Sequence, residues 1–68
     1  MEIGKNIRTL RELRGLTQAQ VADKINVDAS SIAKWETGAS KPLRKYHQPL
    51  CEALGCTMAQ LTTATMQF

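Results

Sequence analysis

Apolar residues recur along the chain at helical intervals and nowhere alternate as they do in strands. Ile3, Ile7, Leu10 and Leu13 follow at steps of four, three and three, one stripe of a helix spanning about 3–14. Lys5, Arg8, Arg11 and Arg14 occupy its other faces, Gly15 supplies a stop, and Leu16 plugs the corner. Thr17 followed three positions later by Gln20 is a capping box, which starts a second helix over 18–25 with Val21, Ala22 and Ile25 inward. Ala22 is small enough to let another helix cross close by. Asn26 tolerates the left-handed conformation and turns the chain. Asp28 then precedes a third helix over 29–37, anchored by Val27 and Ile32 with Trp35 at its edge and ended by Gly38. Two short helices joined by a three- or four-residue corner have helix-turn-helix geometry.

Beyond Gly38 the pattern thins. Ser40-Lys41-Pro42 reads as loop, a single turn fits around Leu43–Tyr46, and a fourth helix over 48–54 takes Pro49 at its first position with Leu50 and Leu54 inward. Thr57 caps a last helix over 58–63 with Leu61 inward, and 64–68 has no periodicity. The expected fold is all-α: a five-helix domain over 1–63 and a short tail, 64–68.

Sixty-eight residues leave little room for a deep pocket, and no nucleophile–base pair or metal cluster is spelled out. The chain therefore reads as no enzyme, with no cofactor and no metal. His47 has no second histidine beside it and reads as a surface or semi-buried packing residue. The formal charge of +3 is unevenly spread: 1–26 and 27–47 each carry a net +2, whereas the last twenty-one residues hold only Glu52. That distribution permits a polyanionic partner along the first two-thirds and leaves the last third for another contact. Cys51 and Cys56 are too few for a disulfide framework or a structural zinc site. With no signal peptide and no run of apolar residues long enough for a span, the expectation is a reduced cytoplasmic protein that engages no membrane.

The ordered set Gln18, Ala22, Asn26-Val27, Ile32 and Trp35-Glu36 strongly resembles the helix-turn-helix family of phage lambda and 434 type repressors and Cro proteins. Ile7, Leu10-Arg11 and Gly15 to Gln18 upstream, and Lys41-Pro42 and Ala53 to Gly55 downstream, extend the resemblance over 3–61. Asn26 stands where that family usually has Gly, His47 where it has Leu, and Pro49 falls inside its usual fourth helix. The last two departures imply a fourth helix that is shortened or displaced.

The resemblance implies a lambda repressor-like fold whose third helix enters the DNA major groove. Its outward residues are Asp28, Ala29, Ser30, Ser31, Ala33 and Lys34, and the family's base readers correspond to Ala29, Ser30 and Lys34. Ser30 suits several base edges, Ala29 a thymine methyl, and Lys34 either guanine or a phosphate. Asp28 has two readings, helix cap or acceptor from cytosine N4. Thr17, Gln18, Ser31, Lys41, Arg44 and Lys45 are the expected phosphate contacts. Arg11 and Glu36 would form a structural ion pair between the first and third helices, with Ala22, Asn26, Val27, Ile32 and Trp35 holding the unit together.

One such helix covers about half a turn of DNA, so the family pairs two domains on a pseudo-palindrome. Met58, Leu61, Met66 and Phe68 are the expected homodimer contact, formed in free solution or only on DNA. The leading reading is a Cro-like operator-binding repressor of phage or prophage origin. A restriction-modification controller, an antitoxin of the same fold and a protein-interaction module that has lost DNA binding stay open.

Overall fold

In a computed structural model that describes residues 3–62, the elements run α1 (Ile3–Leu13), α2 (Gln18–Ile25), α3 (Ala29–Thr37), a 3₁₀ turn (Arg44–Tyr46), α4 (His47–Leu54) and α5 (Met58–Thr62). The all-helical class is as expected, with no strand among the described residues. No helix is long and apolar enough to cross a membrane.

Local chemistry sets the boundaries. Thr17 and Gln20 close a reciprocal capping box: the Gln20 N–H donates to Thr17 Oγ1 at 3.0 Å, and the Thr17 N–H donates to Gln20 Oε1 at 2.8 Å. Thr57 and Gln60 repeat the device at the start of α5, both bonds at 3.0 Å. Asn26 ends α2 in the left-handed region, at φ 65° and ψ 45°, and its N–H donates to the Ala22 carbonyl. Asp28 occupies the N-cap position of α3 with extended backbone, yet its side chain makes no capping hydrogen bond. The cap half of its two readings therefore reduces to backbone geometry.

The start of α4 differs from the expected one. The helix begins at His47 rather than Gln48, running on from the 3₁₀ turn, and Pro49 is its third residue instead of its first. A proline is tolerated there because the first N–H groups of a helix have no intrahelical partner to lose.

Ile7, Leu10, Val21, Ile32, Leu50, Leu54 and Leu61 are the largest fully enclosed side chains, two each from α1 and α4 and one each from α2, α3 and α5. Around them α3 packs on α1 and α2, α4 on α1, α2 and α5, and α5 on α1. Buried Asn6 donates from Nδ2 to the Leu61 carbonyl at 2.9 Å, tying α1 to the end of α5. Leu61 is 0% exposed, so it is a core residue and offers no surface to a second copy. That corrects its assignment as a dimer contact. Met58 is exposed, whereas Met66 and Phe68 lie outside the described residues.

Candidate nucleic-acid interface

The outward rim of α3 is free of core duties. Asp28, Ala29, Ser30 and Lys34 are exposed, and Ser31 and Ala33 are half-buried, while Ile32 and Trp35 on the opposite side are buried. Val27 is half-buried and packs against the core at the corner. Ala22, also buried, lies in α2, which packs on both α3 and α4.

Behind this rim lies a polar lock. Arg11 grips Glu36 with two N–H groups, Nε to Oε2 at 2.7 Å and Nη2 to Oε1 at 3.1 Å. The Arg11 side chain is 13% exposed and that of Glu36 only 4%. Arg11 Nη1 also donates to the Leu16 carbonyl at 2.9 Å, so one guanidinium joins α1, the corner before α2 and the end of α3. Its hydrogen bond to Glu36 raises the Arg11 pKa above the ordinary guanidinium value, against the opposing effect of burial. Arg11 is thus charged throughout the neutral range.

Gln18, the first residue of α2, is half-buried. Its Nε2 donates to Glu36 Oε1 at 3.1 Å, extending the lock to a third helix. This leaves its second amide N–H and its carbonyl oxygen for another partner. Thr17 Oγ1 accepts from the Gln20 N–H, and its own hydroxyl hydrogen stays available.

A second group of cations leaves from the C-terminal end of α3. Gly38 ends the helix at φ 84°, and the Ser40 N–H returns to the Lys34 carbonyl at 3.3 Å. Lys41, Arg44 and Lys45 follow, all exposed. Their segment is braced against α3 by aromatic contact: the Tyr46 ring centroid lies 5.5 Å from that of Trp35, and Lys45 Nζ stands 5.2 Å from the Tyr46 centroid. The structure therefore brings Gln18, the α3 rim and Lys41–Lys45 onto elements fastened directly to α3. Trp35 packs and is not available for stacking on a base.

Sequence reasoning missed Gly4, the Trp35–Tyr46 contact, the Gln18–Glu36 link and Arg14. Arg14 donates from Nε to the Leu54 carbonyl and from Nη2 to the Gly55 carbonyl, both at 2.9 Å, and so caps the C-terminus of α4 from the turn that follows α1. A lone glycine inside the α1 pattern was the one available sign of a close backbone approach. The other contacts span too many residues to leave a local trace. Near the start of α4, Arg44, His47, Gln48, Met58 and Thr62 line an open groove of about 560 Å³. Among the described residues no group of three His, Cys, Asp or Glu gathers as a metal site.

A compact unit of this kind, with a capped second helix and an exposed third helix held by a cross-braced ion pair, is the arrangement of helix-turn-helix proteins. Residues 7–61 match the profile of the helix-turn-helix family, and the chain belongs to it. It is 33% identical over 61 residues to the competence pilus inhibition repressor of Acinetobacter baylyi, covering 90% of this chain and 56% of that protein. It is 38% identical over 42 residues to the HTH-type transcriptional activator BcrR of Enterococcus faecalis, covering 62% of this chain and 21% of that one. The chain thus spans only about a fifth to somewhat over half the length of these relatives. Among solved structures, the P22 c2 repressor in complex with a synthetic operator superposes with a TM-score of 0.86 at 25% identity, over 96% of this chain and 98% of that one. The clp gene regulator ClgR from C. glutamicum shares the fold, with a TM-score of 0.82 at 23% identity over 88% and 78% of the two chains.

Proposed function

We propose that this chain binds double-stranded DNA as a transcriptional regulator, reading a half-site in the major groove with α3. One observation carries the reading: Asp28, Ala29, Ser30 and Lys34 are exposed while Arg11, Glu36 and Gln18 fix the helix from behind. A helix about 10–12 Å across fits the groove, and a rigid mount is what base-edge hydrogen bonds require. Ala29, Ser30, Lys34 and uncapped Asp28 are the proposed base readers. Thr17, Gln18, Ser31, Lys41, Arg44 and Lys45 are the proposed phosphate contacts. The reader set is small, so DNA shape supplies part of the selectivity.

Repression by occluding polymerase at a pseudo-palindromic operator, in the manner of Cro-type proteins, is the preferred mode, with two copies bound together. Met58 and the groove beside it are the described part of the proposed pairing surface. Activation is the second reading, favoured by the likeness to an activator. The position of the bound site relative to the promoter separates the two.

The test is binding of the full chain to duplexes selected from a random pool and to scrambled controls. Lys34→Ala is expected to weaken binding to the selected duplex more than to the control, and equal losses would assign Lys34 to phosphate. Gln18→Ala is expected to weaken both alike with the fold intact. A wild-type chain that binds no duplex at low salt refutes the proposal.

A further inference from the structure

Leu43 is 62% exposed, more so than the other large exposed apolar side chains, Leu13 at 56% and Met58 at 42%. An exposed leucine alone is ordinary. Its setting is what distinguishes it.

The backbone on both sides of Leu43 is held. Upstream, Ser40 is tied to Lys34 and Pro42 is buried; downstream, the Leu43 carbonyl accepts from the Tyr46 N–H at 2.9 Å. Leu43 itself has φ −63° and ψ 153°, the extended N-cap conformation at the start of the 3₁₀ turn, and makes no capping bond. Polar residues are favoured at such a position because their oxygens satisfy free N–H groups, so leucine forgoes that stabilisation. It also forgoes burial. Within the chain the side chain has neither use, yet it is displayed on a fixed stalk among three exposed cations, Lys41, Arg44 and Lys45.

A nucleic-acid strand presents the complementary pattern, in which each apolar sugar face is flanked by two phosphates. We propose that Leu43 packs on a deoxyribose of the strand whose phosphates Lys41, Arg44 and Lys45 hold. The contact is apolar, independent of base sequence and independent of salt. The inference rests on the reading that the chain binds duplex DNA and adds a contact that charge alone does not supply. The alternation of charge and apolar surface favours a polynucleotide over an apolar protein partner, which would desolvate these cations without supplying an anion to meet them.

The experiment is a salt titration of DNA affinity for wild type, Leu43→Ala, Leu43→Met and Lys41→Ala, on a selected duplex and a scrambled one of equal length. Leu43→Ala is expected to lose about tenfold in affinity at every salt concentration and on both duplexes, from the lost apolar burial. The slope of log affinity against log salt stays at the wild-type value, and Leu43→Met retains most of the affinity. Lys41→Ala instead flattens the slope by about 0.9. Unchanged affinity in Leu43→Ala overturns the proposal, and so does a changed slope. Loss of self-association with DNA binding intact also overturns it, assigning the side chain to a second copy. A wild type that binds neither duplex overturns this proposal together with the DNA-binding reading; a wild type that binds with Leu43→Ala unaffected overturns this one alone. Unfolding midpoints of the variants, expected to match wild type because Leu43 is exposed, keep a folding defect from imitating a contact.

Discussion

A single hydrogen in place of a methyl group decides how closely α1 approaches α3. A Cβ built on Gly4 falls onto the Trp35 carbonyl oxygen and lies 3.2 Å from the Trp35 carbonyl carbon and 3.3 Å from the Glu36 carbonyl oxygen. These are backbone atoms at the end of the proposed recognition helix and cannot swing aside. Helix propensity alone makes Gly4→Ala a gain of about 1 kcal/mol. The structure gives the opposite sign: a net loss of about 1–3 kcal/mol from overpacking, read as a lower urea midpoint. A stabilised Gly4→Ala protein would show that the close approach is absent. The Arg11–Glu36 pair makes a second residue-scale prediction. Glu36 is the more deeply enclosed partner, at 4% against 13%, and only Arg11 has a further carbonyl acceptor, Leu16. Arg11→Met leaves the buried Glu36 carboxylate with only the neutral Gln18 amide as partner and is expected to cost about 3 kcal/mol, the lower end for a broken buried pair. Equilibrium denaturation checks it, and a loss indistinguishable from that of an exposed pair such as Arg8–Glu12 would contradict the burial argument.

At the scale of elements, ends were easier to read than approaches. The α2 cap was legible because Thr17 and Gln20 act within one turn, and the αL exit at Asn26 because few side chains tolerate it. Asn26→Gly is expected to stabilise by about 0.5–1 kcal/mol, since glycine enters that region without a Cβ penalty. A lowered thermal midpoint would mean that the Asn side chain has a role beyond its backbone. The start of α4 was misplaced by one residue because Pro49 fits any position of the first turn, so the proline rule bounds the start without fixing it. Leu61 was assigned both inward and to a partner, and periodicity could not show that α1 and Asn6 already cover it. The end of α4 holds a pH-dependent term. Gly55 turns the chain at φ 64°, and the Gly55 and Cys56 N–H groups both return to the Cys51 carbonyl. Burial, then the adjacent Cys51 thiol, pushes the Cys56 thiol from 9.0 up to about 12. The folded state therefore holds this proton where the unfolded chain releases it. The resulting stabilisation is complete below about pH 9 and is lost as pH rises from about 9 toward 12. Replacing it in Cys56→Ala is expected to flatten the decline of thermal midpoint above pH 9 relative to wild type. Parallel profiles for the two proteins would show that the thiol does not contribute.

For the molecule as a whole, size and charge set how copies can share a duplex. The Cα envelope measures 27 × 23 × 19 Å, and successive major-groove faces lie about 34 Å apart along B-DNA. Side chains add several ångströms at each end, so two copies one helical turn apart come close enough to touch without overlapping. Residues 27–47, which carry Lys34, Lys41, Arg44 and Lys45 of the proposed DNA face, have a net +2, whereas 48–68 contains only Glu52, which permits that segment to meet another copy without strong repulsion. Half-sites centred about 10–10.5 base pairs apart are therefore expected to bind two copies cooperatively. Inserting about half a turn between them rotates one copy to the opposite side of the duplex, beyond reach of its neighbour. Each half-site keeps its own affinity, while the joint binding curve loses its steepness. A quantitative gel-shift series over inserts from zero to a full turn reads this directly: cooperativity falls at the half turn and recovers in part at the full turn if DNA looping or bending closes the added gap. Steepness unchanged across the series would mean that the copies bind independently and that no pairing surface near Met58 is used on DNA.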